Sequence, residues 1–135
     1  MKKVIIAGSR GFNDYDLLVK TVEDTLKEPF VLVCGGAKGA DSLGEQYAKM
    51  KGYPIERYLP KWSDLNAENC VIKYNKYGAY NAMAGNNRNK EMLEAVLKNE
   101  DGGLLIAFWD GKSKGTKNMI DISEKASLPF VIVRY

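Results

Sequence analysis

The sequence predicts a doubly wound α/β fold: a five-stranded, mostly parallel sheet of order 3-2-1-4-5 with helices on both faces. Three observations predict it. Continuous apolar runs alternate with helical apolar stripes from end to end, and glycine-rich segments follow the strands. Pro29, Pro54 and Pro129 each stand just after a helical stretch and just before an apolar run, where proline stops a helix and removes no ladder hydrogen bond. Strands alternating with helices of about 10–15 residues imply right-handed βαβ crossovers and a sheet covered on both sides.

The elements follow in order. Lys3–Gly8 (KVIIAG) is an uninterrupted β-branched run, as expected of a strand buried on both faces. Asp14 to Glu28 carries Leu18, Val22 and Leu26 on one helical stripe. Phe30–Cys34 (FVLVC) is a second buried strand, and Asp41 to Lys51 repeats the helical spacing through Leu43, Tyr47 and Met50. Ile55–Leu59 is shorter and more polar, which suits an edge. Asn89 to Lys98 places Met92, Leu93, Val96 and Leu97 on one face. Leu104–Trp109 and Phe130–Tyr135 complete the strands, with a helix between them from about Thr116 to Ala126. Residues 61–87 break the rhythm. They are polar, contain Trp62, Tyr74, Tyr77 and Tyr80, and fit a short helix only around Leu65 to Tyr74. A segment this long without structure is unusual in a compact domain, so it reads as an insertion that covers a site or makes a contact.

Composition narrows the chemistry. The 135 residues predict one domain, 45% hydrophobic and 27% charged, with a formal charge of only +3. That balance is too small to argue for nucleic acid, and no run approaches the length of a membrane span. The opening MKKVIIAGSR has too short an apolar run for a signal peptide, so a cytoplasmic location is expected. Histidine is absent, which removes Ser-His-Asp triads, Cys-His nucleophiles and histidine-ligated zinc. The two cysteines, Cys34 and Cys70, are too few for a thiolate cage or a disulfide framework. Cys34, preceded by an apolar strand, is expected to be a buried thiol.

Seven of the 13 glycines lie in three post-strand loops: GSRGF, GGAKGAD and WDGKSKGT. Each loop feeds a helix N-terminus, whose free N–H groups and positive dipole end suit an anion. In open parallel sheets ligands bind beyond the carboxyl ends of the strands, at the switch in strand order. The first and third loops would face each other there, with GGAKGAD alongside. Glycines can also simply build tight turns, but Arg10, Lys38, Lys112 and Lys114 among them favour a phosphate site. GKS at Gly111–Ser113 resembles the end of a Walker A loop, yet Ile106 occupies the position of its first glycine, and neither GSRG nor GGAKG completes a dinucleotide fingerprint.

Taken in order, GSRGF (Gly8–Phe12), GGAKGAD (Gly35–Asp41), Ala84–Met92 (AG-x-x-RN-x-x-M) and WDGKSKGT with Met119 and Ile120 resemble the SLOG superfamily. That superfamily includes the Smf/DprA proteins and the LOG phosphoribohydrolases, and the likeness is nearest to its small YspA/YpsA-related branch. It runs from residue 4 to about 134, departing between Trp62 and Gly78, where this chain is longer than the usual pattern. The resemblance implies a Rossmann-like fold that binds nucleotides or nucleotide-derived molecules. By position, Gly8, Ser9 and Arg10 would contact phosphate or ribose, and Gly35, Gly36 and Gly39 would cradle phosphate. Asp41 would cap its helix or touch a ribose hydroxyl. Arg88 and Asn89 would close on the ligand, and Asp110, Ser113, Gly115 and Thr116 would form the opposing loop. Oligomers, dimers or tetramers, are implied as well.

Single residues admit two roles. Arg88, read as opening a helix, sits where a cation opposes the dipole, a cost that suggests a ligand contact. Asp41 and Thr116 are capping types as well as ligand candidates. Asp110, at the end of a central strand, suits a ribose acceptor, a base or a plain turn. Trp62 and the insertion tyrosines fit stacking on adenine or simple packing. The LOG enzymes cleave a base from ribose 5-phosphate with an arginine and a glutamate. Arg88 matches the arginine, but the final loop reads Gly115-Thr116-Lys117-Asn118-Met119 and holds no glutamate. The expected function is therefore binding of a nucleotide-derived signal by a sensor or sequestering module of bacterial or phage type. The alternative is a nucleotide N-glycosidase using Arg88 and Asp110. Single-strand nucleic-acid binding, suggested by Lys61-Trp62, Lys73-Tyr74 and Lys76-Tyr77, ranks third. No cofactor is expected, except magnesium held by Asp110 together with ligand phosphates.

Overall fold

A computed structural model describes residues 1–135. In chain order the elements are β1 (Lys2–Gly8), α1 (Tyr15–Thr25), β2 (Phe30–Cys34), α2 (Ala40–Lys51), β3 (Ile55–Arg57), β4 (Ile72–Asn75), β5 (Gly78–Asn81), α3 (Ala84–Leu97), β6 (Gly103–Trp109), α4 (Lys114–Lys125) and β7 (Phe130–Arg134). Five strands form one sheet of order β3-β2-β1-β6-β7. This is the predicted 3-2-1-4-5 order, with β6 and β7 as the fourth and fifth strands, and every pairing is parallel. The fold is Rossmann-like.

Period-two alternation divides the core between the faces of the sheet. Val4 and Ile6 of β1 join Leu18 and Val22 of α1 and Tyr47 and Ala48 of α2 on one face. Ile5 and Ala7 point the other way, onto Met92, Leu93 and Val96 of α3 and Met119 and Ile120 of α4. Val4, Ile5, Leu32, Leu105 and Ile106 are completely buried. At about 1.5–3 kcal/mol for each such side chain, these central strands supply much of the drive to fold. Cys34 is buried as expected, and burial pushes its thiol up to about 12. No helix is long and apolar enough to cross a membrane.

Besides shifts of one or two residues at other ends, three differences from the sequence reading bear on the site. α1 ends at Thr25 rather than Glu28, because Leu26 turns to extended backbone (φ −122°, ψ 125°) and packs against the core. α3 begins at Ala84 rather than Asn89. In its first turn, Ala84-Gly85-Asn86-Asn87, Ala84 is followed by weakly helical residues, and the turn shows no apolar stripe. Arg88 therefore sits in the second turn, and the dipole cost inferred from its position does not apply.

The third difference is the insertion. The short helix expected from Leu65 to Tyr74 is absent. Turns occupy residues 61–71, and β4 and β5 pair antiparallel as a hairpin with Asn75 opposite Gly78. Lys76 and Tyr77 make the turn, where the Asn75 side chain accepts from the Tyr77 N–H at 2.8 Å and Gly78 adopts φ +115°. The buried Asn81 anchors its base: its N–H donates to the Trp62 carbonyl at 2.7 Å, and its side chain accepts from Met83 N–H at 2.9 Å.

The start of α1 isolates one helix cap. Asp14 accepts from the Leu17 N–H at 3.0 Å, satisfying one of the free first-turn donors. Asp14→Ala is expected to lower the unfolding free energy by about 1 kcal/mol, read from urea denaturation, with no change in the denaturant slope.

Candidate ligand-binding site

The site forms where β1 and β6 leave the sheet side by side. Gly8 lies opposite Phe108, and the Ser9 N–H donates to the Phe108 carbonyl at 3.0 Å, so the loops after both strands start at one level. In the first loop the Phe12 N–H closes a turn on the Ser9 carbonyl at 3.1 Å. The Phe12 ring is buried beneath it, stacked on Phe108 at 4.6 Å and edge-on to Tyr135 at 5.0 Å. That packing fixes Ser9 and directs Arg10 outward.

The last loop is organised by Asp110. Its Oδ1 accepts from the N–H groups of Lys112 and Ser113, both at 2.8 Å, and its own N–H donates to the Ser9 hydroxyl at 3.2 Å. Bonds from Ser113 and Lys112 hold its carboxyl below the ordinary value of 3.8. Ser113, rather than Thr116, caps α4. Its hydroxyl lies 3.0 Å from the Thr116 hydroxyl and accepts from the Thr116 N–H at 3.4 Å.

GGAKGAD is tied into the chain by its own contacts. The N-cap of α2 is Gly39, not Asp41. Asp41 lies one step inside the helix, 6% exposed, and its carboxylate accepts from the Ala37 N–H at 3.2 Å. Burial raises its pKa, opposed by the Ala37 bond and the Arg88 charge. The Arg88 guanidinium donates to the Gly35 carbonyl at 2.8 Å and to the Asn89 side-chain oxygen at 3.1 Å. A Cβ on Gly35 would strike that guanidinium, and one on Gly39, at φ +77°, would strike the carbonyl oxygens of Ser9 and Arg10. These two glycines thus allow Arg88 and the first loop to approach α2 closely.

The loops enclose an open cavity of about 550 Å³. Of the expected ligand residues, Gly8, Ser9, Arg10, Asp41, Arg88, Asn89, Asp110, Ser113, Gly115 and Thr116 line it. From the GGAKGAD loop, Ala37 and Asp41 line it, whereas Gly35, Gly36 and Gly39 do not. Asn89 is fully engaged within the chain, donating to the Gly115 carbonyl at 3.1 Å and to the Asn118 side chain at 3.0 Å, so it ties α3 to the start of α4. Trp62 from the insertion reaches the rim, 41% exposed. Gly85 and Asn86, whose helical turn the apolar periodicity hides, also line it, with Met92 and Met119 on its floor. The spacing of Met92 and Met119 marks them as core residues, so only their place at the ends of the stripes nearest the loops hints at a second role.

Two arginines, Arg10 and Arg88, and two aspartates, Asp41 and Asp110, share this lining. Burial lowers the Arg88 pKa, Asp41 opposes that, and the neighbouring Arg10 adds to it. Arg10 has no ion-pair partner in the chain. Two like charges on one wall, beside the α2 and α3 N-termini that no side chain caps, favour an anion between them. No group of three or more His, Cys, Asp or Glu side chains comes together that could hold a metal ion.

Two outcomes are expected from these contacts. Arg88→Ala leaves the Gly35 carbonyl without its donor and removes the charge that offsets the buried Asp41 carboxylate. Urea denaturation should show a loss of about 1–3 kcal/mol, part of it returned when Asp41→Asn is added. Asp110, with a depressed pKa, contributes stability above 3.8 that is lost as the pH falls through its lower folded value. Thermal unfolding should place Asp110→Asn below wild type at pH 7, and the gap should close in acid.

Residues 2–64 match the model of YAcAr, the YspA, cpYpsA-related SLOG family. Along nearly its whole length the chain is also similar to the Gene 61 protein of Mycobacterium phage D29, 27% identical over 139 residues covering 97% of this chain and 95% of that protein. No solved structure matches. The GSRGF and GGAKGAD loops both fall inside the residues that match this family.

Proposed function

We propose that the protein binds a nucleotide or nucleotide-derived small molecule, of the ADP-ribose or cyclic-nucleotide type, as a sensor or sequestering module. One observation carries this reading: Arg10 and Arg88 share a cavity wall with Ser9, Asp110, Ser113 and Thr116. The guanidiniums and helix N-termini suit a phosphate. The hydroxyls and the ionised Asp110 suit the ribose, whose hydroxyl groups donate to a carboxylate. Trp62 at the rim offers a ring for a base to stack on.

Binding is favoured over cleavage by the state of the two carboxylates. Cleaving a base from ribose calls for a proton donor at the leaving base and a carboxylate near the positive charge that develops on the sugar. Asp110 is held ionised by two backbone donors, which makes it a poor acid at neutral pH. Asp41 is buried and already accepts from Ala37. Neither replaces the glutamate missing from the last loop.

Ligand-observed proton NMR with AMP, cyclic nucleotides, NAD and ADP-ribose tests the proposal. Broadened but chemically unchanged ligand signals are expected, with affinity about tenfold weaker in Arg10→Ala, the loss of one charge-assisted contact. Release of free base and ribose phosphate would instead establish the glycosidase, and no broadening with any ligand would overturn the nucleotide reading.

A further inference from the structure

A second cavity, of about 520 Å³, adjoins the first, and Arg10 and Trp62 form part of the wall of both. Its remaining lining comes chiefly from the hairpin, through Asn75, Tyr77 and Tyr80. Each cavity alone falls in the range of about 300–1,000 Å³ usual for small-molecule sites. Asn75 and Tyr80 lie on the same face of the hairpin, and Lys73 pairs directly across from Tyr80. Trp62 and Tyr80 meet edge to face, with ring centres 6.2 Å apart, an arrangement that leaves ring surface open. Tyr77 is 85% exposed, with the Lys76 ammonium 5.0 Å from its ring centre.

None of these three rings belongs to either core cluster. Folding of the sheet therefore does not account for them. Rings interleaved with Lys73, Lys76 and Arg10 are what stacked bases on a phosphate backbone require. A cation on the wall between two base-sized spaces has a definite meaning: it suits a phosphate in the middle of a ligand rather than at its end.

We infer that the inserted hairpin adds a second base-binding subsite to the cavity, so that the preferred ligand carries two bases bridged by phosphate. Arg10 meets the bridging phosphate, Trp62 separates the two bases, and Tyr77 and Tyr80 receive the second. The inference rests on the nucleotide reading above and deepens it. Such a ligand has two sources, a free dinucleotide or the end of a single strand, which share this chemistry.

Titration calorimetry with AMP, NAD, 5′-phosphorylated ApA and a 5′-phosphorylated oligo(dA) of eight nucleotides tests it. NAD or phosphorylated ApA should bind about tenfold more tightly than AMP, the contribution of one stacked base. Tyr77→Ala should bring that ratio close to one, and its exposed position keeps the variant folded. Affinity that levels off at two nucleotides assigns a free dinucleotide. Affinity that keeps rising with length, and falls steeply with salt, assigns a strand end. Equal affinity for AMP and both dinucleotides would overturn the second subsite while leaving nucleotide binding intact. No binding of any of them would overturn both.

Discussion

β1 and β6 run side by side at the centre of the sheet, in register from Lys3 opposite Gly103 to Gly8 opposite Phe108. Their interior residues are buried on both faces, so a one-residue slip would turn each set of side chains onto the wrong pair of helices. The same register ends both strands at one level and sends their loops out as neighbours. The Asp110 N–H then meets the Ser9 hydroxyl, and the beginnings of α2, α3 and α4 gather at one rim of the sheet. Site geometry is thus a by-product of core packing.

Within that frame, Arg88 connects parts of the chain that are far apart in sequence. It joins α3 to the Gly35 carbonyl beyond β2 and lends its charge to the buried Asp41 of α2. Its neighbour Asn89 extends the link to α4 through Gly115 and Asn118. A cation held this way is already oriented, so an incoming anion does not meet the full entropy of a free arginine side chain. Arg10, anchored only through its loop, supplies the adaptable half of the pair.

The strand order was legible because buried parallel strands leave strong marks: long β-branched runs, proline at their entrances and glycine at their exits. The position of the cavity is legible for the same reason, since loops at strand ends are where this architecture opens a crevice. Two things were obscured. The first turn of α3 packs through alanine and glycine, which produce no apolar period, so the pattern alone makes Arg88 a helix opener. The hairpin rests on the four-residue alternation Ile72-Lys73-Tyr74-Asn75 and a turn at Lys76-Tyr77-Gly78, a pattern too short to outweigh the polar stretch before it. Spacing locates the glycines of GGAKGAD but not their close approach to Arg88 and the first loop, because that packing depends on residues far away in the chain.

The hairpin has a consequence for motion. All four residues of β4 are exposed, and β5 buries only Asn81, so the ribbon depends on its hydrogen-bonded base rather than on either core cluster. A two-stranded ribbon of this kind is marginal in water, and segments with few buried contacts open at free energies far below that of the whole domain. Its amides should exchange with solvent long before those of β1 and β6. The hairpin beside Trp62 is thus built to open locally while β1 and β6 stay closed. Sheet and hairpin therefore differ in local stability as much as in architecture.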